Sequence, residues 1–212
     1  HGDGRVDAEG LSRFVSAYQA VTPLKLGELW AIPIMLRLAL IENLRRIGTR
    51  IIDDRIDRNQ ADAWADGLIE TAESDPRHLV LVIADMVRSK PPASSSFVAE
   101  FARRLQGRSS ALALPLTWVE QWLADAGQNI EQMVQAENQQ QASAQVSISN
   151  SIGSLRFLAM MDWREFVETM SMVDTLLRQD PSGTYGSMDF ATRDNYRQTV
   201  EIIARRGGLA EI

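Results

Sequence analysis

Apolar residues recur at three- and four-residue spacing along nearly the whole chain, and the two-residue alternation of a half-buried strand is almost absent. A segment with a 3.6-residue period buries one stripe as a helix and cannot bury one face as a strand. The pattern therefore predicts an all-α fold, a multi-helix bundle of roughly eight helices. Start signals agree. Asp7 precedes the stripe Leu11, Phe14, Val15 and Tyr18, and Ser74-Asp75-Pro76 sets a cap before a proline ahead of Leu79, Val82, Ile83 and Met86. Ser94 to Ser96 precede Phe97, Phe101 and Leu105, while Asp162 and Glu165 have capping-box spacing ahead of Phe166, Val167, Met170, Val173, Leu176 and Leu177. The expected core includes Leu36, Leu40, Leu44, Phe101, Trp118, Trp122, Phe166, Met170, Val173, Val200 and Ile203.

Three stretches complicate the pattern. Pro33 lies inside the run from Leu26 to Ile52 and predicts a kink or restart, because proline removes a backbone donor; Asp62 to Ile69 then reads as a separate helix. The apolar run from Leu29 to Ile41 holds Pro33 and Arg37 and falls short of the roughly 20 residues needed to cross a bilayer, so it reads as a buried core helix. From Asn129 to Leu158 a long helix has apolar ends, but Asn138, Gln141 and Gln145 occupy the middle of that face, with Ala142, Ala144, Ser147 and Ser151 beside them. Either this middle faces solvent, the preferred reading, or its small residues admit another helix over a hydrogen-bonded polar network.

Composition narrows the chemistry. A net charge of −6 excludes the basic surface that a nucleic-acid binder uses to displace counterions. With two histidines and no cysteine, zinc, iron–sulfur and thiolate chemistry lack their ligands. The opening His1-Gly2-Asp3-Gly4-Arg5-Val6 imitates part of a calcium loop, but the closing glutamate falls at Gly10 and His1 replaces an oxygen ligand. No nucleophile elbow, phosphate-cradling glycine loop or metal-binding histidine pair occurs. Asp53, Asp54, Arg55 and Asp57 read as a salt-bridged helix face; Glu165 and Glu168 share a helix face and read as surface charges, with an acid–base pair as the alternative. The expected catalytic, cofactor-binding and metal residues are therefore none.

The densest group of functional side chains runs from Tyr185 to Arg197. Within-helix ion pairs Asp189–Arg193, Asp194–Arg197 and Glu201–Arg205 account for most of its charges. Tyr185, Met188 and Phe190 either staple the turn onto the core or, with Arg193 and Arg197, form an interaction surface; aromatic and arginine side chains are the usual anchors of interfaces. As surface ion pairs, Arg193 and Arg197 are expected to add little to the stability of the fold.

Two stretches resemble the cyclic β-1,2-glucan synthases: Leu26-Gly27-Glu28-Leu29-Trp30-Ala31-Ile32-Pro33, running on to Leu44-Arg45-Arg46, and Met188-Asp189-Phe190-Ala191-Thr192-Arg193-Asp194-Asn195-Tyr196-Arg197. Gln145 to Ile152 and Ser154-Leu155-Arg156 fit the same region. The resemblance implies a parent that builds β-1,2-linked glucan from UDP-glucose with a divalent metal and cyclises it, at the cytoplasmic side of the bacterial inner membrane. It also implies a helical region preceding the transferase domain. The chain has no Asp-x-Asp and no Arg-Trp, so the nucleotide anchor and the acceptor motif of such a transferase are missing.

The resulting expectation is one helical domain over residues 1–212, a fragment of a larger polypeptide with a candidate sub-boundary near 107–115. Its role is a non-catalytic accessory or scaffold domain with no cofactor of its own. Its partners are the other domains of the same synthase, with the glucan chain as a further candidate, and it has no membrane span. The alternatives are a self-contained helical glycan-active enzyme using a carboxylate pair such as Glu165 with a distant partner, or an unrelated protein-interaction module.

Overall fold

The computed structural model describes residues 3–208. Ten α-helices are present among them: α1 (Ala8–Gln19), α2 (Leu26–Ser74), α3 (Leu79–Ser89), α4 (Ser95–Leu105), α5 (Ala113–Ala124), α6 (Ile130–Met160), α7 (Trp163–Met170), α8 (Met172–Leu177), α9 (Thr184–Ser187) and α10 (Phe190–Gly207). The described residues contain no strand, and the all-α reading holds. His1, with which the calcium-loop resemblance begins, lies outside the described residues, and no group of three metal-ligating side chains occurs among those described.

The anticipated caps form. Asp7 accepts from Gly10 N–H, Ser94 from Phe97 N–H, and Asp162 from both Arg164 and Glu165 N–H. Two expectations change. Helix α2 runs unbroken through Pro33 and on past Asp62 to Ser74, so a single helix of 49 residues replaces two. Pro33 deletes only one ladder bond, near the start of a long helix, and its ring is buried in the packing. The stripe from Phe166 to Leu177 is broken at Ser171, which accepts from Asp174 N–H and starts α8; Leu176 is consequently exposed.

Two compact units emerge, one drawn from His1–Leu44 with Ser147–Ile212, the other from Arg45–Val146. The division passes through α2 and α6, whereas residues 107–115 lie inside the second unit.

In the first unit, Leu11 and Val15 of α1, Leu26 and Leu29 of α2, and Phe166 and Val167 of α7 form the core. Small residues let segments close on α6. Asn43 Nδ2 donates to Ser147 and Ser151 Oγ, each at 3.0 Å, and Ser154 Oγ accepts from Val6 N–H at 2.8 Å while donating to the Gly4 carbonyl at 2.7 Å. The run from Leu29 to Ile41 is buried on one side only: Leu29 and Leu40 are inside, while Ile34, Met35, Leu38 and Ile41 are exposed, a correction to the core-helix expectation. Leu40, Phe166 and Val173 are buried as predicted, but Ile203 is exposed; α10 instead buries Arg197 and Ala204.

In the second unit, Ala61, Ala65 and Leu68 of α2 pack with Leu79, Ile83 and Met86 of α3, and with α4 and α5 through Phe97, Phe101, Val119 and Leu123. Trp118 and Trp122 stack at 5.4 Å and lie against this core half-buried. Asn138, Gln141 and Gln145 are exposed, as preferred. The adjoining face of α6 nonetheless makes polar contacts: Arg58 Nη1 donates to Glu137 Oε1 at 2.9 Å, Ser95 Oγ to Glu137 Oε2 at 3.0 Å, and Gln140 Nε2 to Asp54 Oδ2 at 3.0 Å. The charged stretch around Asp54 and Arg58 is thus partly an interior seam.

Candidate functional site

The segment from Tyr185 to Arg197 meets α7 and α8 in a buried arginine–carboxylate cluster within the first unit. Helical spacing builds it. Phe190, Arg193, Arg197 and Ala204 recur at three-, four- and seven-residue intervals on α10, and Glu168 lies on α7 six residues before Asp174 on α8. Asp189 caps α10 by accepting from Thr192 N–H, and is not paired with Arg193 as within-helix spacing predicts. Arg193 turns to Glu168 in a two-pronged pair, Nε to Oε1 at 2.8 Å and Nη2 to Oε2 at 2.9 Å, and also donates to the Met188 carbonyl.

Arg197 is the centre. Its side chain is 0% exposed, and Nη1 donates to Glu168 Oε1 at 2.8 Å and to Asp174 Oδ1 at 2.7 Å. Nη2 donates to Asp194 Oδ1 at 3.1 Å; this within-helix pair and Glu201–Arg205, at 3.0 Å, form as spaced. The guanidinium lies 5.2 Å from the centre of the Phe190 ring, and Nε has no hydrogen-bond partner. Tyr185 is buried, and its hydroxyl donates to Asp174 Oδ1 at 2.7 Å. Arg178 closes the outer side by donating to Asp174 Oδ2. Three guanidinium groups thus face three carboxylates, which is how a protein interior accommodates charge.

The electrostatics follow from these contacts. Hydrogen bonds from Arg193, and next from Arg197, overcome burial and hold the Glu168 carboxyl down at about 2. Burial opposes the charge of Arg197, but Glu168, Asp174 and Asp194 more than offset it, and the net shift is upward. Burial, reinforced by the bond to Asp174, pushes the Tyr185 phenol up to about 12. Glu168 is therefore ionised at neutral pH with both oxygens engaged. It has no proton to give as a general acid, and both oxygens accept from arginines. Glu165, its neighbour, sits exposed in the first turn of α7.

The five predicted surface residues are thus placed differently from one another. Tyr185 and Arg197 are inside the unit, while Met188, Phe190 and Arg193 are half-buried at its edge. In the sequence Asp174 carries no signal of its own, and Glu168 is marked only by the helix face it shares with Glu165. The available signal was the pair of arginines on the same side of α10 as Phe190 and Ala204, where an apolar stripe is expected. The two stretches that carry the family resemblance also touch: the Trp30 and Phe190 rings meet edge-to-face at 6.5 Å.

Fold and cluster together define an all-helical protein segment whose densest charged group is built into its interior. No protein-family model matches the chain. It is 34% identical over 211 residues to the cyclic beta-(1,2)-glucan synthase NdvB of Rhizobium meliloti (strain 1021), a match that covers 100% of this chain and 7% of that relative. The chain belongs to the cyclic β-(1,2)-glucan synthase family, as a segment that spans a small part of the length of the relative it matches. No described helix is long and apolar enough to cross a membrane.

Proposed function

We propose that the chain is a non-catalytic accessory segment of a cyclic β-(1,2)-glucan synthase, holding or positioning the parts that act on sugar. The observation that supports this most directly is the state of Glu168. Glu168, which shares a face of α7 with Glu165, is engaged by Arg193 and Arg197 and kept ionised, so it serves the fold. On this reading the parent polypeptide uses UDP-glucose with a divalent metal, its other domains are the partners, and the growing glucan is a further contact. The segment works at the cytoplasmic side of the inner membrane.

The test is excision. A synthase lacking the segment matched by residues 1–212 should lose cyclic glucan production in cells while still accumulating as protein. Undiminished cyclic glucan from the shortened synthase would defeat the proposal.

A further inference from the structure

An apolar groove is open in the first unit, between α1 and the early turns of α2. Phe14, Val15 and Tyr18 face Ile32, Met35 and Leu36 across a cavity of about 270 Å³ whose lining is apolar throughout. Phe14 is 70% exposed and Met35 63% exposed. Met35 also borders a second open stripe, Ile34, Leu38 and Ile41, which share a helix face by their four- and three-residue spacing. The core beneath is already closed by Leu11, Val15 and Leu29, with Ile32 and Leu36 packed against it, so the exposed Phe14, Tyr18 and Met35 are surplus to what it requires. A contiguous exposed apolar patch of this kind marks a surface that binds something.

The chemistry of the groove narrows the occupant. A sugar or a nucleotide would bury hydroxyls or phosphates with no polar group to receive them. A bilayer-seated helix face needs a collar of basic residues, whereas Arg13 stands 3.9 Å from Glu9, Arg5 3.9 Å from Asp7, and Arg37 of α2 turns to the Leu158 carbonyl at 3.0 Å, on a chain of net charge −6. Two apolar stripes with a trough between them are the form that accepts a third helix by its apolar ridge. The chain corresponds to 7% of the length of its relative, so the rest of such a polypeptide is tethered nearby at high effective concentration, which favours it over a second copy.

We propose that the α1–α2 groove seats an amphipathic helix contributed by another part of the same synthase polypeptide. The proposal rests on the accessory reading given above.

Its test uses the full-length synthase with photoreactive benzoyl-phenylalanine in place of Phe14 or Met35, and in place of Met160, an exposed residue of the same unit outside the groove, as the control. After irradiation, cross-links are mapped by peptide mass spectrometry. The expected result is an intramolecular link from both groove positions to one segment beyond residues 1–212, in a yield about tenfold above the control and reduced about tenfold by Tyr18→Glu. Links to lipid, links between two copies, or no yield above the control overturn the proposal. The two readings fail separately. If excision abolishes cyclic glucan but no such link forms, the groove proposal alone falls; if excision changes nothing, the accessory reading falls.

Discussion

Arg197 and Asp174, 23 residues apart in sequence, meet at 2.7 Å with the arginine side chain fully enclosed and the aspartate 2% exposed. This contact ties α10 to α8 and gives the C-terminal helices a charged centre where an apolar one would be expected.

Arg197→Ala should therefore be severely destabilising. It leaves Glu168 and Asp174 short of a counter-charge in the interior, a change that typically costs about 3–5 kcal/mol. Arg193, which is 15% exposed and has one carboxylate partner, should cost less, about 1–3 kcal/mol. Urea unfolding followed by circular dichroism measures both; a loss below about 1 kcal/mol for Arg197→Ala would mean that the cluster is not structural.

Acid should weaken the fold through Glu168. Its folded pKa, about 2, lies below the ordinary 4.5, so the unfolded chain binds the proton more readily. The stabilisation is present above pH 4.5 and is lost as pH falls toward about 2. Glu168→Gln should be less stable at neutral pH and should lack this component of the acid slope. Denaturant midpoints taken between pH 6 and about 2.5 decide it; parallel curves for the two proteins would contradict the assignment.

Tyr185 should show its burial spectroscopically. One phenol is expected to ionise only as pH approaches about 12, and Tyr185→Phe should remove that component from the alkaline absorbance change. The same substitution deletes one hydrogen bond to Asp174 and should cost about 0.5–2 kcal/mol, less than Arg197→Ala, because two arginines still face that carboxylate.

Gly4 should resist substitution. Its φ of +78° disfavours any Cβ, and an added Cβ would collide with Ser151 Oγ and press on the Ser147 carbonyl. Gly4→Ala should lower stability by more than about 1 kcal/mol, whereas Gly48→Ala, which meets nothing within 4 Å on α2, should be neutral or raise it by about 0.4–1 kcal/mol. Thermal melts of the two variants compare them directly.

Local rules made the helices legible. Asp7, Ser94 and Asp162 announce starts that form, because a cap depends only on its own first turn. The length of α2 was hidden, since Pro33 is a breaker whose single missing bond is offset by packing that no local rule contains. The cluster was half-visible. Tyr185, Arg193 and Arg197 stand out by density, but spacing within α10 offers each arginine an acid, and the pairing with Glu168 and Asp174 spans 23 to 29 residues. The open face at Met35 and Leu38 is not legible, because periodicity shows which residues are apolar, not whether a neighbour arrives to cover them.

The central claim, that the chain does no chemistry of its own, is tested most directly by incubating the purified chain with radiolabelled UDP-glucose and a divalent metal. The account predicts release and transfer of glucose no faster than in buffer. Turnover above that background, abolished by substituting a single carboxylate such as Glu165→Gln, would contradict it.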